Sequence, residues 1–453
     1  MNSPAVSPRS TRKIPARSDL RHVLLVLTAT AVCLPFVPRA SAETFRWVHP
    51  KGGQWSVAAN WDPQGVPNGS GVVAVIDHAI TSNETVRLSD GSTDIEGLVI
   101  GTGGASSAEF FWTVTGNSPL AFSGDSASIQ SSGAFQQMGG PLVLKSNVRV
   151  KAEGTLRLIT GNIREAEGSW GFIVEQGMLD IRMPGSITGE TIIKQGAKIL
   201  LARANGLGSG SVVVEEGGML AFICDGAFLK NELRIAGDGG GGGALRLGSP
   251  FATDRGAPRE GVTIFKSGGF EGGIQLDGNA AIGVLTGGEG GINSTICGPH
   301  TLSKVGEGKL ALAGANSFSG GLRVEKGTLA LTGEKSMQPQ APVILMGGTL
   351  EIGTPSLALG PLALAESSEL LLPAELSGSV RFEASAKQAW QSGRMLTIKG
   401  WTGDQRGGRF RMLFGNNASG LSSQQLKQIR FEDASGATKP ARMIAGGELV
   451  PGS

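Results

Sequence analysis

The chain has 453 residues, of which 72 are glycine, none is tyrosine and 40% are apolar. Glycine far above its usual share of about 7%, with no Gly-X-Y period, excludes collagen, and the apolar share excludes plain disorder. A net charge of +2 and aromatics at 5% leave neither a nucleic-acid surface nor a core built on rings; many short strands joined by glycine-rich turns fit instead.

The N-terminus predicts export. Arg9, Arg12, Lys13, Arg17 and Arg21 form a basic region, residues 23–37 are apolar, and Ala40-Ser41-Ala42 is a small-residue cleavage site. The apolar run is short for a span of about 20 residues, and Pro35 and Pro38 interrupt its end. The expected signal peptide is therefore 1–42, cut after Ala42. Its six Lys/Arg and one Asp leave 34 basic and 37 acidic residues, a net of −3. No later apolar run is long enough for a helical span. Cys224 and Cys297 remain, and their separation predicts two separate buried thiols.

Residues 43–112 hold Trp47, Trp55, Trp61 and Trp112, four of the seven tryptophans. Large aromatics at the start of an array predict a cap over its first edge. An exposed, coplanar row of Trp47, Trp55 and Trp61 would instead make a sugar-stacking platform.

From residue 113 to 365 a glycine followed by an alternating apolar pair recurs. Examples are Gly154–Leu158, Gly177–Ile181, Gly196–Leu201, Gly218–Phe222, Gly327–Leu331 and Gly348–Ile352. Weaker copies sit at Gly243–Leu247 and Gly273–Leu276. A period near 20 residues suits a solenoid, with room for three short strands and three turns per repeat. The clearest unit is 302–331, read as strand–turn–strand–turn–strand around Leu310/Leu312, Leu322/Val324 and Leu329/Leu331. It cannot bury its apolar face without a copy above and below.

Within that unit, Leu302, Lys304, Gly306, Gly308, Leu310, Leu312, Gly314, Asn316, Phe318, Ser319, Gly320, Gly321, Val324, Gly327, Leu329 and Leu331 resemble the autotransporter-associated beta strand repeat, also called the passenger-associated transport repeat. Residues 189–222 resemble it more loosely. The resemblance implies an all-β fold: a right-handed, single-stranded parallel β-helix with N- and C-terminal caps.

Residues 366–453 carry the last repeats and the C-terminal cap. Trp390, Trp401, Gln425 and 447–451 are similar to the ending of many exported repeat proteins, and Ser422 with Gln425 predicts a capped helix over 423–429. Autotransporters continue into a membrane barrel of alternating strands. Nothing after Pro373 is long enough for one, and the sequence stops at Pro451-Gly452-Ser453 without the Pro-Glu-Pro sorting tail of related chains. The expectation is a repeat protein without its own translocator.

No chemistry-bearing motif appears. His49, His78 and His300 lie far apart and read as satisfied turn histidines, and no Cys or His pairing suggests a metal. Asn68, Asn83, Asn293 and Asn417 begin N-x-S/T triplets and read as turn residues. The sequence therefore predicts no catalytic residue, no cofactor and no metal. The leading reading is a non-catalytic structural or adhesive scaffold at the cell surface, in the periplasm or outside the cell, facing glycans or envelope components rather than nucleic acid. The alternative is a carbohydrate-active enzyme, a polysaccharide lyase or hydrolase, or a carbohydrate-binding module. The enzyme reading requires acids such as Asp180, Asp225, Asp277 and Glu351 to meet in one groove with a basic residue.

Overall fold

A computed structural model describes residues 42–102, 110–224, 226–248, 268–372, 374–375 and 377–452. Ala40 and Asp225 lie outside them. Short strands dominate because few segments escape glycine for long and because Val, Ile and Leu alternate with small or polar residues. Nearly every pairing is parallel, and partners lie about 20 residues apart in sequence: Leu302 faces Leu322, Leu322 faces Val343, and Val343 faces Leu362.

Three long ladders and one short one result. The first starts with Glu43–Trp47, Gly69–Ile76 and Thr93–Ile100 and runs to Ile274–Val284 and Ile296–Cys297. The second runs from Glu84–Leu88 and Trp112–Gly116 to Val343–Met346 and Leu362–Glu366. The third has an early run of Leu120–Phe122, Leu142–Leu144 and Ile163–Glu165, and a later one from Ala227–Leu229 to Ile429–Glu432. Successive passes meet these ladders in one cyclic order, but the passes after Cys297 leave the first, and Ser356–Leu359, Gly378–Phe382 and Phe410–Phe414 form a short fourth ladder of their own. This all-β, parallel, in-register stacking is consistent with a β-helix.

Alternation decides the core. Leu310, Leu312, Leu322, Val324, Leu329 and Leu331 are all fully buried, whereas Ser303 and Arg323 between such positions are not. Each buried leucine contributes about 2 kcal/mol through its removal from water. One hydrophobic cluster extends from Phe45 to Leu449. The parallel pairing crosses residue 112 without a break, since Glu84–Leu88 already stacks in register on Trp112–Gly116.

Two features differ from the sequence expectation. The unit 302–331 is not three strands but four: Leu302–Val305 lies under Leu322–Val324 on the second ladder, and Lys309–Leu312 lies under Thr328–Leu331 on the third. It therefore stacks on itself. The recurring glycine–apolar motif also changes ladder. Leu156/Leu158, Leu179/Ile181, Leu220/Phe222 and Leu245/Leu247 build the second, but Leu329/Leu331 and Leu350/Ile352 build the third. The long gap between Gly218 and Gly327 marks that change.

At the end of the third ladder, Ile429–Glu432 pairs antiparallel with Thr438–Met443, which pairs antiparallel with Leu449–Pro451. The helix Ser423–Lys427, shorter than predicted, carries the expected capping box between Ser422 and Gln425. The Gln425 amide also donates to the carbonyls of Ser385 and Gln388. Among the described residues no helix is long and apolar enough to cross a membrane.

Candidate functional site

The glycines of the 302–331 unit let successive turns touch. A Cβ on Gly314 would sit 1.8 Å from the Ser294 carbonyl oxygen, and one on Gly327, at φ +60°, would sit 2.5 Å from that of Gly306. Between these turns runs a polar staple. Asn316 accepts from the Ile296 amide at 2.8 Å and donates to the Ser336 carbonyl at 2.9 Å, so one side chain joins three passes of the chain. Phe318 beside it is fully buried.

Lys304 is the unit's unusual member. It is 1% exposed, and its Nζ donates to the carbonyls of Val305 (3.0 Å), Gly306 (2.7 Å) and Lys326 (3.0 Å). All three ammonium protons are thereby used. Burial pushes this lysine down to about 8, against the nearby charge of Glu307, which acts to raise it. Sequence reasoning named Lys304 only as a motif residue, although its spacing from Leu302 already put both on one strand face.

Around the same turns lies an open groove of about 380 Å³, floored by Gly242 and Gly283 and edged by Arg246, Val305, Glu307 and Lys326. Arg246 is nearly buried and packs against Gly242. The acids named for the enzyme alternative are elsewhere and separate. Asp180 is fully buried between Arg157 (2.7 Å) and Arg182 (3.0 Å), Asp277 pairs with Arg234 at 2.8 Å, and Glu351 pairs with Lys309 at 2.8 Å. The structure does not bring these three into one groove.

The tryptophans do not form a platform. Trp47, Trp55 and Trp61 are at most 2% exposed and pack edge-to-face, with centroids 5.0 Å and 4.7 Å apart. Their indole N–H groups reach the carbonyls of Lys51, Pro67 and Trp55. Burial with each N–H satisfied is what a packed cluster requires.

His78 departs from the expectation of a satisfied histidine: its Nε2 is buried without a partner, and its ring packs edge-on to Trp112 at 4.9 Å. Cys224 and Cys297 are not joined to each other, as expected, but they are half-buried rather than buried. The Cys297 thiol reaches Gln275 Oε1 at 2.9 Å. The asparagines of three triplets do serve turns: Asn68 accepts from the Asp94 amide, Asn83 from Phe111 and Asn417 from Ser419. Among the described residues no group of acids, histidines and cysteines is arranged to hold a metal ion.

Comparison with known families places a passenger-associated-transport-repeat at residues 302–331, the segment that carries Lys304 and Asn316. That repeat family is one of exported autotransporter passengers. No curated protein and no solved structure matches the chain.

Proposed function

From the passenger-associated-transport-repeat at residues 302–331, we propose that the chain is an exported, non-catalytic scaffold, folded as a right-handed parallel β-helix and displayed at the cell surface, in the periplasm or outside the cell. The observation that carries this reading is the position of the repeat. It pairs in parallel with the strands before and after it, on the second ladder and on the later run of the third, so the flanking passes share its architecture. A parallel stack of this kind presents long lateral faces and regularly spaced turns, which suits a structural or adhesive role. The salt-bridged state of Asp180, Asp277 and Glu351 favours the scaffold over the polysaccharide-degrading alternative.

The test is fractionation of native cells with N-terminal sequencing, followed by a polysaccharide-cleavage screen on the same material. A chain beginning at Glu43 in the envelope or medium, releasing no sugar products, is the expected result. Cytoplasmic protein that retains Met1 would overturn export, and released oligosaccharides would overturn the non-catalytic assignment.

A further inference from the structure

Three stacked turns cross one corner between the third ladder and the first. Leu120–Phe122 reaches Ser128–Ser131 through 123–127, Leu142–Leu144 reaches Val148–Leu158 through 145–147, and Ile163–Glu165 reaches Phe172–Ile181 through 166–171. The strands on both sides of the corner pair in parallel, so the turns lie one above another. The middle turn is the shortest, and a notch of about 370 Å³ opens over it. That volume is at the lower end of the roughly 300–1,000 Å³ of small-ligand sites. Asp125, Lys145, Ser146, Asn147, Arg149 and Trp170 line it.

Trp170 forms the apolar wall and is held in place. Its Nε1 donates to the Ala166 carbonyl at 3.1 Å, and the indole lies against Gly168, where a Cβ would come within 2.6 Å of the ring. Its amide donates to Glu165 Oε2 at 2.9 Å, and the same carboxylate takes the Thr188 amide at 3.0 Å and hydroxyl at 2.6 Å. The turn also contains Glu167 at φ +62°, the one non-glycine residue in the left-handed region among the described residues. Backbone of that kind persists only where the surroundings enforce it, and it clusters at ligand sites.

The polar side of the notch has spare capacity. Asn147 Oδ1 accepts from the Gly171 amide at 3.0 Å, which leaves its Nδ2 to donate. The cations are already neutralised, Lys145 by Asp94 at 3.0 Å and Arg149 by Glu175 at 2.6 Å. An anionic ligand would have to break those pairs and face the Asp125 carboxylate; an uncharged one with many hydroxyls would not.

We infer that this notch binds one pyranose residue of an uncharged polysaccharide, with the C–H face of the ring on Trp170 and ring hydroxyls on Asn147 and Asp125. The electron-rich indole face attracts C–H edges, and sugar hydroxyls donate to the Asp125 carboxylate and accept from Asn147 Nδ2. The site rests on the scaffold reading only for where the sugar is met, so binding by purified protein tests it independently of export.

The experiment is titration of the purified full chain with neutral hexasaccharides (a β-1,4-glucan, a β-1,4-mannan and an α-1,4-glucan), read by intrinsic fluorescence and calorimetry, with a hexagalacturonan in parallel. Saturable binding of at least one neutral hexasaccharide is expected. Trp170→Ala is expected to weaken it by about tenfold or more. Because Trp170 also packs on the core, exposed Asp125→Ala serves as the second variant, with an expected loss of about fivefold at unchanged thermal midpoint. No saturation by any neutral hexasaccharide up to about 10 mM, binding unaffected by both variants, or preference for the hexagalacturonan would overturn the inference.

Discussion

Replacing Lys304 by methionine keeps the length and apolar stem of the side chain and removes only the ammonium. Three charge-assisted hydrogen bonds, to the carbonyls of Val305, Gly306 and Lys326, disappear with it. At about 1.5–3 kcal/mol each they outweigh the cost of burying the charge. Burial's push on this lysine from 10.5 to about 8 corresponds to about 3 kcal/mol of that cost. The difference predicts a net loss of about 3 kcal/mol for Lys304→Met at pH 7. The pH dependence has a definite sign. Between pH 8 and 10.5 the unfolded chain holds the lysine proton and the folded chain has released it, so raising pH through this window adds stability to the wild type. The penalty of the buried charge is complete below about pH 8 and gone above 10.5. Urea unfolding of wild type and variant at pH 7 and pH 9.5 measures both quantities, and the difference cancels the other lysines. The stability gap between the two proteins is expected to widen at the higher pH. A variant as stable as wild type at pH 7, or a gap that narrows with pH, would refute the idea that the carbonyls retain a proton that burial acts to expel.

Asn316→Ala removes an acceptor from the Ile296 amide and a donor from the Ser336 carbonyl, both buried, and is expected to cost about 2–4 kcal/mol with loss of hydrogen-exchange protection at Ile296. Gly314→Ala drives a methyl group into the Ser294 carbonyl and is expected to lower the thermal midpoint by several degrees; an unchanged midpoint would mean the stacked turns can separate freely.

The groups that stabilise the stack are legible to very different degrees in the sequence. Leu310, Leu312, Leu329 and Leu331 announced themselves through alternation, because a strand places every second residue on one face regardless of what lies beyond it. The capping box at Ser422 and Gln425 was equally local, since both partners lie within one turn of helix. Trp47, Trp55 and Trp61 allowed two readings, buried cluster or exposed row, and only the tertiary packing chose between them.

Lys304 sits at an inward position by the same alternation as Leu302, but the three carbonyls that make burial tolerable belong to turns, one of them 22 residues away. Asp180 alternates outward from Leu179 and Ile181 yet is fully buried, because Arg157 and Arg182 close over it. Trp170 reads as one more aromatic until the short turn 145–147 is stacked between two longer ones. The sequence by itself determined the strand-rich class, the inward faces of the alternating leucines and the roughly 20-residue return, since these depend on side-chain spacing along one chain. Only the tertiary structure decided which strand lies on which, where the repeat changes ladder, and which polar groups meet. Those contacts join residues of different passes, and no local pattern encodes their register.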